Sequence, residues 1–439
     1  MKFKTLNEWL DWQESLHSSE IDLGLSRVSQ VLECLLPELF ELVPGSGKSQ
    51  QKLPFTLITV GGTNGKGSTI ALLESILLAS GYQVGCYTSP HFLRYNERIR
   101  INGDNSDDTG ICEAFEAIDK ARGEISLTYF EFSTLAAIYL FVQQKCQVVI
   151  LEVGLGGRLD AVNILDADCS LVTTVDLDHQ DWLGDDIESI AYEKAGIYRG
   201  VRPAIYGDYQ VPESLRKHAL EISAELSILG SEYDFSLSDE HWLWKGPDNH
   251  YNNLPKPGLV GNLQLKNAAN ALMVLDCLKN QLSDVNLESI TIGLQNSQLT
   301  GRYQKIADNP ELLVDVAHNP QAAKKLVEYL ADNPCVGKTH AIFAILADKD
   351  ISGVVEPLTK QIQSWHLFEL NMPRSLSAEK TANIVATFSD RSQVACYNDF
   401  SLAYQSIVEN MSSLQQQQDR IIVFGSFFTV ACALRHFSR

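Results

Sequence analysis

Positive charge is scarce in this chain. Its 439 residues include 35 lysines and arginines against 55 aspartates and glutamates, which gives a formal net charge of -20. Proteins that bind nucleic acids or anionic membranes present a basic face, so this balance argues against both kinds of partner. A small anionic ligand remains compatible, provided that its cleft is locally positive against the field of the whole molecule.

Long apolar runs and paired cysteines are also missing. No stretch approaches the ~18 apolar residues that a membrane span needs, and residues 1–10 lack the apolar core of a signal peptide. The nine cysteines are scattered and form no Cys-x-x-Cys pair. We therefore expect reduced thiols in a cytoplasmic protein rather than a disulfide framework or a zinc site.

The most informative stretch is residues 59–69, which read TVGGTNGKGST. An apolar, β-branched run at 55–58 precedes it and predicts a buried parallel strand, and residues 70–78 follow with apolar side chains at helical spacing. Glycines let backbone N–H groups crowd around phosphates, and the start of a helix adds positive potential. This order of elements predicts a binding site for ATP or GTP.

Within this loop, Lys66 is predicted to reach the β- and γ-phosphates, while Ser68 or Thr69 holds Mg²⁺. The spacing differs from the usual G-x-x-x-x-G-K-[ST] motif, because its first position is not glycine and Gly67 separates the lysine from the serine. The strand before the loop and the helix after it still favour phosphate binding over a glycine-rich turn without a ligand.

Polar side chains follow two other predicted strands. Glu152 ends an apolar strand at 147–151, where a carboxylate that directs Mg²⁺ belongs in an ATP site of this kind. His179 follows the strand at 171–175. Because the carboxyl ends of parallel strands meet at one edge of a sheet, we expect both side chains at that edge. Lys194, considered alone, is typical of a surface lysine.

The segment at 88–100 carries three arginines, Arg94, Arg98 and Arg100, interrupted by aromatic residues and a proline. This composition makes a poor helix and suits a loop that meets a flat anionic ligand. A solvated charged loop is an equally good interpretation of the same residues.

The chain is predicted to contain two α/β domains. Residues 1–298 hold the phosphate loop, and a new alternation of strands and helices occupies residues 299–439. We expect an amino-terminal P-loop ATPase-type domain with a mostly parallel sheet, followed by a smaller Rossmann-like domain. Strand signals around residues 242–244 are weaker. The strands predicted for the second domain are 312–316, 341–345, 365–370, 394–397 and 421–424.

Several further motifs occur in the order of one known family. They are IDLGL at 21–25, GTNGKGS at 62–68, SPH at 89–91, LEVGLGGRLDA at 151–161, EKAG at 193–196, DVAHNP at 315–320, LADKD at 346–350 and GSFFTV at 425–430. Over essentially its whole length, the chain resembles the bacterial dihydrofolate synthase/folylpolyglutamate synthases, which belong to the Mur-type amide ligases. The additional Gly67 is itself a feature of that family.

The resemblance implies an ATP-dependent ligase that phosphorylates a substrate carboxylate to an acyl phosphate, which the amine of L-glutamate then attacks. A carboxylate is a poor electrophile because its charge is shared by two oxygens, and phosphorylation supplies a leaving group. Two activities are implied: addition of L-glutamate to dihydropteroate, and extension of the γ-glutamyl tail of reduced folates. A monofunctional folylpolyglutamate synthase is the alternative.

The resemblance also implies roles for individual residues. The implied catalytic residues are Lys66, Lys194 and His318. ATP would be bound by Thr63, Asn64, Gly65, Lys66, Gly67, Ser68 and Thr69, with Asn267, Arg302 and Asp315 closing over the nucleotide from the second domain. Mg²⁺ would be held by Ser68, Ser89, Glu152 and His179. The implied pterin-binding residues are Phe130, Arg158, Asp160 and Ala161, and the implied glutamate-binding residues are Asp348, Lys349 and Ser426.

Lys194 matches a lysine that is carbamylated in this family, and a monovalent cation is a further candidate cofactor. We also expect a monomer. A cell-wall Mur ligase would share the fold and the metals but should carry a uridine-nucleotide domain before the ATP domain, and none fits this sequence. A non-enzymatic nucleotide switch would share the phosphate loop but would have no use for a glutamate pocket.

Overall fold

The computed structural model describes residues 2–42, 49–238, 241–261, 263–411 and 418–438. The chain forms two compact units. The first comprises Met1–Gly258 and Leu265–Gln298, and the second comprises Leu259–Gln264 and Leu299–Arg439. None of the helices in the described ranges is long and apolar enough to cross a membrane.

The first unit combines one large sheet with helices and two small antiparallel sheets. Its helices are α1 (Leu6–Glu14), α2 (Ser26–Leu35), α3 (Lys66–Ala79), α4 (Asp108–Arg122), α5 (Tyr129–Gln143), α6 (Gln180–Leu183), α7 (Ile187–Ala195), α8 (Glu213–Glu221), α9 (Leu263–Cys277) and α10 (Leu287–Asn296). Its strands are β1 (Phe40–Leu42), β2 (Ser49–Gln51), β3 (Thr56–Gly61), β4 (Val84–Tyr87), β5 (Ile99–Ile101), β6 (Asp104–Asn105), β7 (Val148–Glu152), β8 (Cys169–Val172), β9 (Pro203–Tyr206), β10 (Glu225–Ile228), β11 (Asp234–Ser238), β12 (His241–Lys245) and β13 (His250–Pro255).

The large sheet has the strand order β10-β9-β8-β3-β7-β4-β5-β6. The strands from β10 to β4 are parallel, and β5 and β6 form an antiparallel edge. Strands β3, β7 and β8 are buried along nearly their whole length, which explains why they read as continuous apolar runs. The predicted mostly parallel sheet is confirmed.

Helices α3 and α5 are buried on most of their faces, as helices that are apolar all round must be. The start of α5 is fixed by a reciprocal cap. The Thr128 hydroxyl accepts the backbone N–H of Glu131 at 3.2 Å, and the Glu131 carboxylate accepts the N–H of Thr128 at 2.8 Å. This cap places Tyr129 and Phe130 in the first turn of α5.

Strands β11, β12 and β13 form a three-stranded antiparallel sheet that the sequence indicated only in its middle strand. Trp242 and Trp244, two residues apart, are both buried, and their indole N–H groups donate to the carbonyl oxygens of Pro255 at 2.8 Å and Ala269 at 3.1 Å. The flanking strands were missed because most of their side chains are exposed and form no apolar run.

The second unit is a Rossmann-like layer of helices and one sheet with the order β14-β15-β19-β16-β17-β18. Only β14 is antiparallel to its neighbour. The five predicted strands are present within about two residues of their predicted ends, whereas the half-exposed edge strand β14 was missed. The elements are β14 (Gln304–Asp308), β15 (Glu311–Val314), α11 (Pro320–Asp332), β16 (Thr339–Phe343), α12 (Ile351–Leu358), β17 (Ser364–Phe368), α13 (Ala378–Val385), β18 (Val394–Tyr397), α14 (Phe400–Asn410), β19 (Arg420–Phe424) and α15 (Phe427–Phe437).

Candidate active site

The phosphate loop connects β3 to α3 and depends on two glycines with positive φ, Gly62 at 130° and Gly65 at 96°. A Cβ atom on Gly62 would collide with the Thr173 hydroxyl, and one on Gly65 would lie 2.7 Å from the Asn267 Oδ1. Both the backbone conformation and the lack of space therefore require glycine. Helix α3 begins directly after the loop, so Gly67 lies in its first turn.

Two threonines at the end of β8 hold this loop in place. The N–H of Thr63 donates to the Thr174 carbonyl at 2.8 Å, and the N–H of Asn64 donates to the Thr174 hydroxyl at 3.1 Å. The Thr173 hydroxyl donates to the Asn64 carbonyl at 2.7 Å. No role was predicted for these threonines. The sequence does contain a signal for them: two hydroxyl residues directly follow an apolar strand, at the sheet edge where the site was expected.

The Lys66 ammonium lies over its own loop and donates to the Gly62 carbonyl at 2.9 Å. Thr69 is fully buried, and its hydroxyl donates to the Gly65 carbonyl at 3.0 Å. The Thr69 hydroxyl is therefore already used in a hydrogen bond to the backbone at the start of α3. Of the two hydroxyls predicted for Mg²⁺, this geometry favours Ser68.

Ser89 and Glu152 are in direct contact. Glu152 is the last residue of β7 and is buried, and the backbone N–H of Ser89, just after β4, donates to its carboxylate at 3.1 Å. His179 precedes α6 with φ at 51°, and its N–H donates to the Asp178 carboxylate at 2.9 Å. A histidine in the left-handed region is uncommon, and such residues cluster at functional sites.

The order of the sheet explains this assembly. Strands β8, β3, β7 and β4 are consecutive neighbours, and their carboxyl ends carry the segment up to His179, the phosphate loop, Glu152 and Ser89 in turn. Such an edge is where open α/β sheets bind ligands. No group of three or more His, Cys, Asp or Glu side chains in the described residues is placed to hold a metal ion. The predicted magnesium set includes only two side chains of these types.

Lys194 lies in the last turn of α7 and is only 5% exposed, which corrects its interpretation as a surface lysine. Burial and then the nearby charge of Lys66 lower the pKa of Lys194 to about 7, while Asp178 and Asp160 act in the opposite direction. An ammonium is costly to bury, so the neutral amine is a major form of this side chain near neutral pH.

Asp160 is 2% exposed, and its carboxylate shapes the loop after β7. One oxygen accepts the N–H groups of Gly154 at 2.9 Å and Leu155 at 2.8 Å, and the other accepts that of Val162 at 3.0 Å. These bonds use about three of its roughly four acceptor positions. The role of Asp160 toward a pterin stays a prediction, and most of its acceptor positions already serve the backbone.

Phe130 and Arg158 have different surroundings. The Phe130 ring lies against Gly154, where an added Cβ would be 2.6 Å from it. The Arg158 guanidinium stacks on Tyr192, 4.0 Å from the ring centroid, and donates to the Tyr192 carbonyl at 3.0 Å. Ala161 is buried and opens a short 3₁₀ helix after the loop. The proposed roles of these residues toward a pterin stay predictions.

In the second unit, Asp315, Ser426 and Asp348 follow β15, β19 and β16, which are again neighbours in the sheet, whereas Arg302 precedes β14. Asp315 is buried and accepts the N–H groups of Tyr303 at 3.1 Å and Ala317 at 2.8 Å. Burial raises the pKa of Asp315, whereas the charge of Arg302 acts in the opposite direction. The Arg302 guanidinium lies 5.8 Å from the ring centroid of Phe427.

The tautomer of His318 follows from its contact with the backbone. Its Nδ1 lies 2.7 Å from the carbonyl oxygen of Val316. Because a carbonyl only accepts hydrogen bonds, Nδ1 carries the proton, and Nε2 is the acceptor nitrogen of the neutral ring. A base or an acceptor toward a ligand would therefore act through Nε2.

The three residues predicted for glutamate have partners within the second unit. The Ser426 hydroxyl caps α15 by accepting the N–H of Thr429 at 3.0 Å. The Asp348 carboxylate pairs with Arg374 at 3.1 Å and lies 3.9 Å from the Lys349 ammonium. Their role toward glutamate stays a prediction.

The placement of Asn267 requires a correction. It was expected to approach the nucleotide from the second domain, but it lies on α9 in the first unit, with its Oδ1 beside Gly65. The reason is that α9 leads back into the first unit before the chain crosses to the second.

Comparisons with known proteins agree with this architecture. Residues 60–275 match the Mur ligase middle domain, and residues 301–427 match the Mur ligase glutamate ligase domain. The Escherichia coli dihydrofolate synthase/folylpolyglutamate synthase is 41% identical over 426 residues, which cover 97% of this chain and 94% of the relative.

Two solved structures are similar over nearly the whole chain. E. coli FolC in complex with DHPP and ADP superimposes with a TM-score of 0.89 at 39% identity, covering 99% of this chain and 98% of the other. A bifunctional folylpolyglutamate synthase/dihydrofolate synthase with Mn, AMPPNP and L-glutamate bound gives a TM-score of 0.87 at 41% identity, covering 99% and 98%. The chain therefore belongs to the dihydrofolate synthase/folylpolyglutamate synthase family of the Mur ligases.

Proposed function

We propose that this protein is an ATP-dependent ligase that adds L-glutamate to dihydropteroate and to the γ-glutamyl tail of reduced folates through an acyl phosphate. The observation that carries the proposal is the sheet edge where the phosphate loop lies beside the Ser89–Glu152 contact, in a chain with bifunctional relatives at 41% identity. The similar structures with ADP or AMPPNP, Mn and L-glutamate support the choice of co-substrates.

Residues 63–69 bind the phosphates through backbone N–H groups, and Lys66 neutralises the charge that develops during transfer. A hard divalent ion fits the donors at this edge, because the buried Glu152 carboxylate lies beside Ser89, whose backbone N–H it accepts, and carboxylate and hydroxyl oxygens are the ligands such ions prefer. Ser68, Ser89, Glu152 and His179 would hold Mg²⁺, which supplies charge neutralisation to the phosphoryl group when bound. The protein otherwise positions the reactants.

Lys194 is proposed to be carbamylated. Its neutral amine attacks the carbon of CO₂, a C–N bond forms as one C–O π bond breaks, and one proton leaves the nitrogen, so that a neutral side chain becomes an anionic carbamate. The proposal is supported by the match to the family motif, by the burial of Lys194 and by the nearby charge of Lys66, since an anion near Lys66 is more stable than a second ammonium.

The two domains divide the substrates in this proposal. Residues 1–298 bind ATP and the pterin, the latter through Phe130, Arg158, Asp160 and Ala161. Residues 299–439 supply Arg302, Asp315 and His318 toward the nucleotide and Asp348, Lys349 and Ser426 toward glutamate. The support is that Asp315, Ser426 and Asp348 follow three neighbouring parallel strands of the second unit. Arg302 is assigned on the family resemblance.

A side-by-side assay tests the proposed activity. Glutamate-dependent phosphate release is expected with dihydropteroate and with a tetrahydrofolate, but not with a UDP-muramyl peptide. Release with the tetrahydrofolate alone would leave the monofunctional reading, and release with the muramyl peptide alone would place the chain among the cell-wall ligases.

Asp160→Ala is expected to impair glutamylation of dihydropteroate more than tail extension. The variant should also unfold more easily, because each buried N–H left without an acceptor costs about 1–3 kcal/mol. Denaturant unfolding and the two glutamylation assays would be measured together. Asp168→Ala is a matched control. The Asp168 carboxylate likewise accepts a backbone N–H, that of Leu57 at 2.8 Å. This bond lies at the amino ends of the strands, opposite the edge that carries the proposed site.

Asp168→Ala should lose stability with equal effects on the two activities. If Asp160→Ala behaves in the same way, Asp160 supports the loop without influencing the choice of substrate.

We infer a monomer in the cytoplasm, with no nucleic acid or membrane partner, from the net charge of -20. The nine cysteines, all of them free, support a reducing compartment. A monovalent cation is proposed as a second cofactor on the family resemblance alone, and activity in potassium against tetramethylammonium buffer would test it.

A further inference from the structure

The three arginines of the loop at 88–100 differ in their partners. Arg94 pairs with the exposed Asp108 at 3.0 Å, and Arg100 pairs with the buried Glu74 at 2.7 Å. Among the residues that the structure describes, no carboxylate pairs with the third arginine, Arg98. In a chain with twenty more acidic than basic formal charges, a half-buried arginine without such a partner stands out.

Arg98 is nevertheless held firmly. Its Nε donates to the Nδ1 of His91 at 2.8 Å, and its guanidinium carbon lies 5.4 Å from the ring centroid of Tyr129 and 5.8 Å from that of Tyr95. Aromatic rings beside a guanidinium are a favourable, rigid setting. No hydrogen bond from its two terminal nitrogens to a described residue is present. The guanidinium group of Arg98 is thus oriented by contacts that leave its terminal N–H groups available to another acceptor.

The position of Arg98 connects it to the site. His91 follows Ser89 by two residues, and the N–H of Ser89 donates to Glu152. Tyr129 directly precedes Phe130, whose ring lies against the loop that begins after β7. Arg98 therefore contacts one residue close in sequence to the Ser89 assigned to magnesium and one that adjoins the Phe130 assigned to the pterin.

The geometry of the Arg98 guanidinium favours a carboxylate as its ligand. A guanidinium presents parallel N–H donors that match the two oxygens of a carboxylate, whereas the transferred phosphates already have Lys66 and the loop amides. Dihydropteroate ends in a carboxylate on a benzene ring, which suits a cation flanked by aromatic side chains. We propose that Arg98 binds the carboxylate of the acyl substrate, with Tyr129 beside the ring that bears it. This inference rests on the proposed function.

A binding cycle tests the contact directly. Dihydropteroate and its neutral carboxamide analogue would be titrated into the full-length wild type and Arg98→Met by calorimetry. The wild type is expected to prefer the carboxylate on the order of 10²-fold, since a desolvated charge pair is broken in the amide complex. Arg98→Met should prefer it by less than about 3-fold, with unchanged affinity for ATP. Arg98→Lys should retain part of the preference because it keeps the charge without the fork.

Arg94→Met is the matched control, because the arginine comes from the same loop but pairs at the surface with Asp108. It should keep the wild-type preference. An undiminished preference in Arg98→Met, or an equal loss of affinity for both ligands, would overturn the assignment of the carboxylate to Arg98. Failure of the wild type to bind dihydropteroate would instead overturn the proposed function. Thermal unfolding of Arg98→Lys shows whether this variant is folded, so that its preference for the carboxylate over the carboxamide can be compared with that of the wild type.

Discussion

Lys66→Ala should lower the glutamate-dependent release of phosphate by about 10²–10³-fold with either folate acceptor. The lysine begins α3 directly after the glycine-rich turn, and its ammonium already lies over the loop carbonyl of Gly62 at 2.9 Å. Removing it takes away the one side-chain cation of the loop, so that charge developing on the transferred phosphoryl group loses a preorganised partner. Because both proposed activities share this step, both should fall together.

The experiment requires single-turnover rates as well as nucleotide affinity, since the loss is expected mainly in the chemical step. Lys120→Ala is a suitable control, because Lys120 lies exposed on α4 and pairs only weakly with Glu116, at 3.4 Å. It should leave both rates unchanged. A near wild-type rate for Lys66→Ala would show that the loop does not hold the transferred phosphate.

Lys194→Ala is expected to reduce both activities by about 10–10²-fold, the size of effect seen when groups that organise a metal site are removed. The residue is buried, and burial together with the charge of Lys66 lowers the pKa of Lys194 to about 7. An amine that is neutral near physiological pH can react with CO₂, and the resulting carbamate places an anion near Lys66. The alanine variant should lack this anion.

Chemical rescue separates the carbamate from a merely structural lysine. Formate or acetate added to Lys194→Ala should restore part of the activity by occupying the position of the lost anion. The same acids should not rescue Lys66→Ala, where a cation is missing. In the wild type, ¹³C-labelled bicarbonate should give a carbamate signal that is absent from the variant. A fully active wild type without this signal, even at high bicarbonate, would contradict carbamylation.

The sequence was most informative where a local pattern fixes the backbone. The phosphate loop was predictable because its strand, its glycines and its helix are contiguous, and only glycine fits the positive φ of Gly62 and Gly65. The parallel strands were predictable because burial on both faces leaves continuous apolar runs. Edge strands such as β11, β13 and β14 escaped prediction because pairing, rather than an apolar run, defines them.

For the site residues, sequence alone determined which chemical groups lie at or beyond the ends of the apolar strands of the first domain, including Glu152 and His179. Only the tertiary structure decided what surrounds each of them. Lys194 looks like a surface residue on its helix, yet packing buries it near Lys66. Asp160 looks like a ligand-binding acid, yet it accepts three backbone N–H groups. The reason is that hydrogen-bond partners and burial depend on residues far apart in the chain, which no local pattern specifies.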